Sequence, residues 1–284
     1  MDAVSRTWLC GKFRLNLDLP MIMAIINMTP DSFSGDGLSG SVGAALRQAE
    51  KALRDGAGIL DVGGESTRPG AEAVGEQEEL DRVIPVLEAL VALDVPVSVD
   101  TLKPAVMRAA IAAGVAIVND INALRAPGAV EAVAASSAGV CLMHMQGEPR
   151  SMQEAPAYTE VVDEVEAFLL QRLAVLEASG VVAARIALDP GFGFGKTLAH
   201  NLELFRSLPR LAAHGLPLLV GVSRKRMLGD ITGRAVDQRM PAAITAAALA
   251  AQRGAAILRV HDVAATRDAL AMWAAIDADR LSAY

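Results

Sequence analysis

The sequence contains little cysteine and few aromatic residues, and this scarcity excludes several classes of protein. Its 284 residues include two cysteines, too few for a disulfide framework, and no CxxC pair that would indicate zinc or redox chemistry. Aromatic residues make up 4% and the net charge is -7, unlike the basic, ring-rich surfaces that bind nucleic acids. No apolar run reaches the roughly 18 residues of a membrane span, and the first twenty residues lack the apolar segment of a secretory signal. We therefore expect a cytoplasmic protein that binds neither nucleic acid nor membrane.

Short apolar segments alternate along the chain with longer segments rich in alanine and leucine. The short segments predict eight strands, at Met21–Asn27, Ile59–Gly64, Val95–Asp100, Ala116–Asp120, Gly139–Met145, Ile186–Gly191, Pro217–Ser223 and Ala256–Asp262. The long segments predict the helices that follow them, at Ser41–Gly56, Glu76–Leu93, Pro104–Ala113, Pro127–Ser136, Thr159–Ser179, Leu198–Ala213, Gln238–Arg253 and Ala264–Ala278. Strict alternation favours right-handed βαβ units with parallel strands, and eight units in about 250 residues are typical of an α/β protein of the (β/α)₈ TIM-barrel type.

Two further features complete the predicted architecture. Residues 1–20 precede the first unit and predict a short hairpin that closes the bottom of the barrel, so that residues 1–284 form one domain. The alternative is an open doubly wound sheet, which usually has a GxGxxG turn after its first strand. Here the first strand is followed by Asn27-Met-Thr-Pro-Asp31, so we favour the barrel.

Polar residues follow the apolar part of nearly every predicted strand. They are Asn27, Asp61, Asp100, Asn119, Asp120, His144, Asp189, Ser223, Lys225, Arg259 and His261. In a barrel these ends lie on one face, where active sites form. Strand residues two apart point to the same side, so Arg259 and His261 could both face one anion. The alternative is that some of these residues only satisfy loops or cap helices.

Three loops at the same face have compositions that suit a binding site. The sequence from Asp189 to Lys196, DPGFGFGK, places phenylalanines beside a carboxylate, which suits a flat heteroaromatic ligand with an aminopyrimidinone-like edge. The alternative for its glycines is a tight turn with positive φ. The loops at Thr29–Gly37 and Gly63–Gly70 mix glycine, hydroxyl and charged residues, and they predict a pair of active-site lids rather than ordinary surface loops.

Seven of these segments, in chain order, resemble the dihydropteroate synthase family. They are Asn27–Phe33, Asp61–Gly70, Val97–Thr101, Val118–Asp120, Asp189–Lys196, Ser223–Lys225 and Arg259–Asp262. The family joins 4-aminobenzoate to 6-hydroxymethyl-dihydropterin pyrophosphate and releases pyrophosphate. The resemblance therefore implies small-molecule substrates, a Mg²⁺ ion carried by the pyrophosphate, and a homodimer in which the helices near Pro241–Ala251 and Ala264–Ala278 could form the interface.

The resemblance also assigns expected roles to individual residues. Those expected to hold the pterin are Asp100, Asn119, Asp189 and Lys225, with Met145 and either Phe194 or Phe192 lining its pocket. Those expected to bind the pyrophosphate are Asn27, through Mg²⁺, and Arg259 with His261. Those expected to shape the aminobenzoate site are Phe33, Thr67, Arg68 and Pro69. Catalysis is expected from Asn27, Asp36, Arg68, Lys225, Arg259 and His261, by a dissociative path without a covalent enzyme nucleophile.

Two positions depart from the family pattern. The first loop has Ser34-Gly35-Asp36-Gly37 where the family often has Ser-Asp-Gly-Gly, so the acid that would stabilise a cation is moved by one residue. The residue after Lys225 is Arg226 where the family commonly has serine, and it could either bind the aminobenzoate carboxylate or point into solvent. These departures leave open a non-catalytic pterin-binding paralogue. A pterin-dependent methyltransferase that works with a corrinoid partner is the other alternative, although it would not need Arg259 and His261 for a pyrophosphate.

Overall fold

Eight parallel strands of the computed structural model close into a barrel with helices around it. The structure describes residues 6–27, 37–65 and 74–276, without the side chains of residues 27 and 37–41. Its strands are β1 (Thr7–Cys10), β2 (Phe13–Asn16), β3 (Met21–Asn27), β4 (Ile59–Gly63), β5 (Val97–Asp100), β6 (Ile117–Asp120), β7 (Gly139–Met143), β8 (Ile186–Asp189), β9 (Leu218–Val220) and β10 (Ala255–Val260). The barrel runs from β3 to β10 in chain order and closes where β10 pairs with β3. The predicted (β/α)₈ barrel is therefore confirmed.

The helices that surround the barrel follow its strands along the chain. They are α1 (Gly37–Asp55), α2 (Glu76–Val91), α3 (Pro104–Ala112), α4 (Ala129–Ala134), α5 (Val161–Ala178), α6 (Leu198–Arg206), α7 (Leu208–Ala212), α8 (Arg226–Thr232), α9 (Met240–Gln252) and α10 (Val263–Ile276). Short 3₁₀ helices occur at Ala183–Arg185 and Val236–Gln238. No helix among the described residues is both long enough and apolar enough to cross a membrane.

Two helical regions differ from the prediction. The helix predicted at Leu198–Ala213 is two helices that meet at Ser207, with Pro209 in the first turn of the second one. Proline has no backbone N–H to continue a preceding helix, and it is tolerated in a first turn. The seven-residue helix α8 was not predicted; it follows β9 and is capped at its carboxyl end by Gly233, whose φ of 69° lies in the left-handed region. Its shortness left no helical periodicity in the sequence.

Side chains of the barrel strands alternate between two apolar environments. The outward residues, such as Leu60, Val62 and Val99, belong to the large buried cluster that includes the surrounding helices. The inward residues near the amino ends of the strands form a second buried cluster, which contains Met23, Ile59, Ile117, Cys141, Ala187, Leu219 and Ile257. Since the side-chain period is two, the next inward residue of each strand lies one layer higher. Three of the predicted site residues, Asn119, Asp189 and Arg259, belong to that higher layer.

The hairpin of β1 and β2 closes the bottom of the barrel, as predicted. Trp8 is fully buried in the lower inward cluster, and its indole N–H donates to the carbonyl of Arg185 at 2.9 Å. The Gly11 amide donates to the carbonyl of Ser137 at 2.9 Å, just before β7 begins. Both cysteines are buried here without a disulfide, and burial raises the pKa of the Cys10 and Cys141 thiols well above their usual value. The sealed lower end leaves the carboxyl ends of the strands as the accessible face.

The close approach of the hairpin to the first residue of β7 predicts a stability effect. A Cβ added at Gly139 would lie 2.5 Å from Cys10 Sγ and 3.1 Å from the carbonyl oxygen of Leu9. Gly139→Ala should therefore lower the free energy of unfolding by about 1–3 kcal/mol, as overpacking does, measured by urea unfolding.

Gly75 provides the matched control for this substitution. A Cβ added there would meet no atom within 4 Å. Gly75→Ala should change stability by less than about 1 kcal/mol. Equal stability of the two variants would show that the hairpin is not tightly seated on the barrel.

Candidate active site

An arginine at the carboxyl end of β10 pairs with two carboxylates across the barrel. Nε of Arg259 donates to Asp61 Oδ2 on β4 at 2.6 Å, and Nη2 donates to Asp100 Oδ2 on β5 at 2.8 Å. Burial alone would lower the pKa of Arg259. The carboxylates of Asp61 and Asp100 raise this pKa by more, so it lies above its usual value. Burial raises the pKa of Asp100, and the neighbouring Arg259 opposes that change. The guanidinium is therefore charged and held at the centre of the open end.

Three more predicted residues lie around this arginine. Asn119 is buried on β6, opposite Asp100 in the parallel register. Asp189 ends β8, where its Oδ1 accepts a hydrogen bond from the Gly191 amide at 2.7 Å. Burial raises the pKa of Asp189, against the opposing effect of Lys225. Burial lowers the pKa of Lys225 to about 8. Arg259 lowers this pKa as well, whereas Asp189 and Asp100 raise it. The structure thus brings these groups into one electrostatically coupled site.

One side of the site is an apolar wall of methionine and phenylalanine. Met145 packs in a small buried cluster with Met143, Met152 and Ile121, and Phe194 packs against this cluster. The ammonium of Lys225 lies 4.5 Å from the centre of the Phe194 ring, a cation–π distance. A flat ligand between this wall and the charged groups would have an apolar face and a polar edge.

Phe192 occupies a different environment from Phe194. It is fully buried in the layer between strands and helices, where its ring centre lies 5.6 Å from that of Phe205. Of the two phenylalanines that the sequence left as alternatives, the structure places Phe194 at the site.

The loop after β8 is held by side chains that bind its carbonyl groups. Gly191 has a φ of 71°, and a Cβ there would overlap the carbonyl oxygen of His144, so this position requires glycine. All six consecutive carbonyls of residues 191–196 accept side-chain hydrogen bonds. Lys196 donates to Gly191 and Phe194, Lys225 to Phe192, Gln153 to Gly193, Tyr158 to Gly195 and Asn201 to Lys196. The wall beside Asp189 is therefore fixed before any ligand binds.

A buried lysine–histidine pair lies beneath this loop. The Lys196 ammonium is 2.9 Å from His144 Nδ1, 2.9 Å from the Gly191 carbonyl and 3.1 Å from the Phe194 carbonyl, so its three N–H donors have three acceptors. Burial lowers the pKa of Lys196 to about 7, although Asp189 opposes this effect. Burial and Lys196 lower the pKa of His144 to about 2, so the imidazole is neutral. Sequence reasoning found His144 as a strand end but did not predict its pairing with Lys196.

The residues after β9 and β10 form a smaller polar cluster. Nδ1 of His261 lies 3.0 Å from the Ser223 hydroxyl oxygen. Arg224, whose φ is 59°, donates to Asp262 Oδ1 at 2.7 Å. Arg226 begins α8, where it is exposed and lies 3.6 Å from Asp230. In this structure Arg226 therefore points into solvent, one of the two orientations considered from the sequence.

Asp120 is at a strand end but faces away from the site. Its carboxylate oxygens accept hydrogen bonds from the amides of Asn122 and Leu124, each at 2.7 Å. It pairs in register with Leu142, which belongs to the outward cluster. Asp120 therefore stabilises the turn after β6, which is the structural alternative considered for the strand-end residues.

Five predicted residues of the two early loops lie outside the described residues: Phe33, Asp36, Thr67, Arg68 and Pro69. Asn27 ends β3 opposite Gly63, at the same end as Asp100, but its side chain is also outside the description. Among the described residues no group of three or more histidine, cysteine or acidic side chains is arranged to hold a metal ion.

The segment after β4 is anchored by an ion-pair network that the sequence did not reveal. The Lys103 ammonium donates to Glu65 Oε2 at 2.6 Å and also to the buried carboxylate of Glu79. The other oxygen of Glu65 accepts from the Val74 amide at 3.1 Å. This network joins Glu65, within the predicted second loop, to Val74, which lies beyond the end of that loop. Its members are far apart in the sequence, and only their acidic and basic character was visible there.

Comparison with known proteins agrees with the resemblance found in the motifs. The family model described as pterin binding enzyme matches residues 23–261. A dihydropteroate synthase of Neisseria meningitidis serogroup C is 50% identical over 274 residues, which cover 95% of this chain and 97% of the relative.

Two solved structures have the same fold and similar sequences. The dihydropteroate synthase of Xanthomonas albilineans with 4-aminobenzoic acid superimposes with a TM-score of 0.90 at 52% identity, covering 97% of this chain and 99% of that one. The Burkholderia cenocepacia enzyme complexed with 7,8-dihydropteroate gives a TM-score of 0.89 at 48% identity, covering 98% and 99% of the two chains. The chain therefore belongs to the dihydropteroate synthase family of pterin binding enzymes.

Proposed function

We propose that the chain condenses 6-hydroxymethyl-7,8-dihydropterin pyrophosphate with 4-aminobenzoate, giving 7,8-dihydropteroate and pyrophosphate in folate biosynthesis. The observation that carries this proposal is the buried carboxylate of Asp189, which interacts electrostatically with the cations of Lys225 and Arg259 at the end of the barrel that also carries the Phe194–Met145 wall. This arrangement suits a flat ring with an N–H-rich edge and an anionic substituent. The chain's membership of the dihydropteroate synthase family supports the same reaction.

The pterin would be recognised by its edge and its face. In our proposal Asp189 accepts two N–H bonds from the aminopyrimidinone edge, which an ionised carboxylate can do in parallel. Asp100 and Asn119 would bind the opposite edge, and the Lys225 ammonium would donate to a ring oxygen or nitrogen. Phe194 and Met145 would cover one face of the ring.

The pyrophosphate would be bound by Arg259 and His261. Arg259 has a planar fork of donors, of which Nε and Nη2 hold carboxylates in the present structure. His261 lies two residues further along the chain and contacts Ser223. Both residues lie at the carboxyl end of β10 and are two positions apart, so both side chains can face one anion.

The proposed chemistry is a dissociative displacement. The C–O bond of the pterin methylene breaks first, and its electron pair leaves with the pyrophosphate, whose growing negative charge Arg259 and His261 stabilise. The electron-rich pterin ring stabilises the resulting cation, and exclusion of water prevents its hydrolysis. The arylamine nitrogen then attacks the methylene carbon to form the C–N bond, and the amine proton passes to solvent. Asp36, despite its shifted position, is proposed to stabilise the cation, and Phe33, Thr67, Arg68 and Pro69 to hold the aminobenzoate.

We propose that Mg²⁺ enters with the pyrophosphate rather than residing in the protein. Mg²⁺ commonly binds substrate phosphates with only one or two protein ligands. The amide oxygen of Asn27 is a suitable ligand for such a substrate-borne ion. When bound, Mg²⁺ would supply charge neutralisation to the leaving group.

The protein is proposed to act as a homodimer in the cytoplasm. The helices α9 and α10 pack against each other. Four of their large apolar side chains are exposed: Met240, Leu249, Met272 and Ile276. Exposed apolar patches of this kind commonly mark protein interfaces. Sedimentation velocity at micromolar concentration should give twice the 29.6 kDa chain mass, and a monomer would contradict the proposal.

The proposed reaction can be tested by pyrophosphate release from the purified protein. Release should require the pterin pyrophosphate, 4-aminobenzoate and Mg²⁺ together, because the displacement needs a leaving group, a nucleophile and charge neutralisation. Pterin binding without release under these conditions would instead support the non-catalytic paralogue.

Two substitutions should separate pterin recognition from pyrophosphate recognition. Asp189→Asn should weaken binding of a phosphate-free pterin by roughly 30-fold or more, since an amide cannot accept two parallel N–H bonds.

Arg259→Ala should lower kcat/KM for the pyrophosphate ester about 100-fold or more, while phosphate-free pterin affinity changes far less. Calorimetry and steady-state kinetics measure the two effects, and equal losses for Arg259→Ala would reduce that residue to a structural role.

The pH dependence of kcat/KM for the pterin substrate should have two limbs. It should rise with pH while Asp100 and Asp189, whose pKa values are raised by burial, become ionised. It should fall above about pH 8, where Lys225 loses the proton that it needs as a cation, because burial lowers its pKa to about 8. Lys225→Arg should remove this alkaline limb below pH 10, since a guanidinium remains charged there.

The control for the pH experiment is the neighbouring buried lysine. Burial lowers the pKa of Lys196 to about 7, so it also changes charge within this range. An alkaline limb that persists unchanged in Lys225→Arg would contradict the assignment to Lys225 and would indicate Lys196 instead.

A further inference from the structure

The two carboxylates that hold Arg259 lie at different depths. The Asp61 side chain is 0% exposed, whereas that of Asp100 is 11% exposed and that of Arg259 is 24% exposed. In the register of β4 and β5, Asp100 lies opposite Gly63, two residues beyond Asp61 on the inward side. Asp61 therefore lies one layer below the floor of the site, where a substrate cannot reach it, and Asp100 lies in the floor itself.

We propose that Asp61 is a positioning residue, which holds the Nε side of Arg259 in place while the Nη groups exchange Asp100 for the anionic leaving group. The inference rests on the proposed function, because it concerns the binding of the pyrophosphate. It assigns no contact between Asp61 and the substrate. Asp61 acts through Arg259 alone.

The geometry of the guanidinium supports this division of roles. Nε and Nη2 bind different carboxylates on adjacent strands, and Nη1 makes no hydrogen bond to a described residue. A guanidinium held at Nε keeps its plane while both Nη groups remain directed outward. An arginine side chain normally loses much rotational freedom when it is ordered. Asp61 imposes this order before the substrate binds, which is the preorganisation that transition-state stabilisation requires.

The burial of Asp61 also points to a fixed role. A fully buried carboxylate is unfavourable unless it is paired and hydrogen-bonded. Arg259 is the group that donates to Asp61 among the described side chains, through the bond of 2.6 Å at Oδ2. If Arg259 left Asp61 to bind the pyrophosphate, the buried carboxylate would lose that partner. Asp100, whose side chain keeps 11% of its surface exposed, can instead be released, because the incoming pterin supplies donors to it.

Two buried oxygens beside this pair have no hydrogen-bond partner among the described residues. They are Asp61 Oδ1 and Ser98 Oγ, which belong to residues paired in register on β4 and β5. Both side chains point inward, because residues two apart share a side and Asp100 faces the site. A single internal water bonded to both would satisfy them, as such waters commonly do in protein interiors. Asp61 would then be fixed at both oxygens.

Asp61→Asn tests the proposal because it removes the charge and keeps the shape. Inorganic pyrophosphate with Mg²⁺, a phosphate-free 6-hydroxymethylpterin and the complete pterin pyrophosphate are the three probes. Asp61→Asn should lower kcat/KM for the pterin pyrophosphate by about 10- to 100-fold and weaken pyrophosphate binding to a similar extent. The Kd of the phosphate-free pterin should change by less than about threefold.

Asp120→Asn is the matched control. Asp120 is equally buried on another barrel strand, β6, but it faces outward and accepts hydrogen bonds from two backbone amides. Its substitution should lower the Tm without changing the ratio between ester turnover and phosphate-free pterin binding. A merely structural role of Asp61 would give the same pattern as this control.

The proposal is overturned if the Asp61→Asn variant binds pyrophosphate as tightly as the wild type does. It is also overturned if the variant loses as much affinity for the phosphate-free pterin as for pyrophosphate. If Asp61→Asn does not fold, Ser98→Ala decides. Removal of the Ser98 hydroxyl should weaken pyrophosphate binding about threefold and leave pterin binding intact, and no change would contradict the proposal. Absence of turnover in the wild type would instead refute the proposed reaction.

Discussion

The ion pair of Arg259 with Asp61 and Asp100 is the interaction on which the site depends. It joins the last barrel strand to the second and third ones, so it can form only when the barrel has closed. Each of the three groups would be costly to bury alone, and each is tolerated because the others are present. On the opposite side, the charge of Asp189 is balanced by the nearby ammonium groups of Lys225 and Lys196. The open end of the barrel is thus a balanced set of buried charges, which a charged, flat substrate can enter.

The two ends of the barrel have opposite compositions, and this difference separates stability from activity. At the lower end apolar inward residues and the β1–β2 hairpin form a sealed core around Trp8. At the upper end the same strands present carboxylates, an amide and cations. Buried polar groups are individually expensive, so the apolar lower layer provides the stability that the upper layer lacks. The loop at residues 190–196 adds rigidity, because side chains bind its successive carbonyls.

Much of the architecture could be predicted because its signals are local. Every barrel strand was found from an apolar segment, but β7 and β8 are shorter than predicted because the chain turns before Met145 and Gly191. The helix α8 was missed because seven residues show no period. The split at Ser207 had a visible signal in Pro209. The placement of Asp100, Asn119, Asp189 and Arg259 at one end followed from the strand-end rule.

The pairings within the site could not be predicted in the same way. Arg259 and Asp61 are separated by 198 positions, and their contact depends on the closure of the barrel. The Lys196–His144 pair and the Lys103 network likewise depend on tertiary structure. The outward direction of the Asp120 side chain, in contrast, could have been predicted. Neighbouring residues of a strand point to opposite sides, and Asn119 was expected to face the site.

The most direct test that these strand-end residues form one substrate site is a crystal structure of the protein with 6-hydroxymethylpterin and pyrophosphate. We predict that the aminopyrimidinone edge faces the Asp189 carboxylate and that the ring lies against Phe194 and Met145. The pyrophosphate should lie at the Nη groups of Arg259. A pterin bound elsewhere, or one whose edge does not face Asp189, would contradict this assignment of the site.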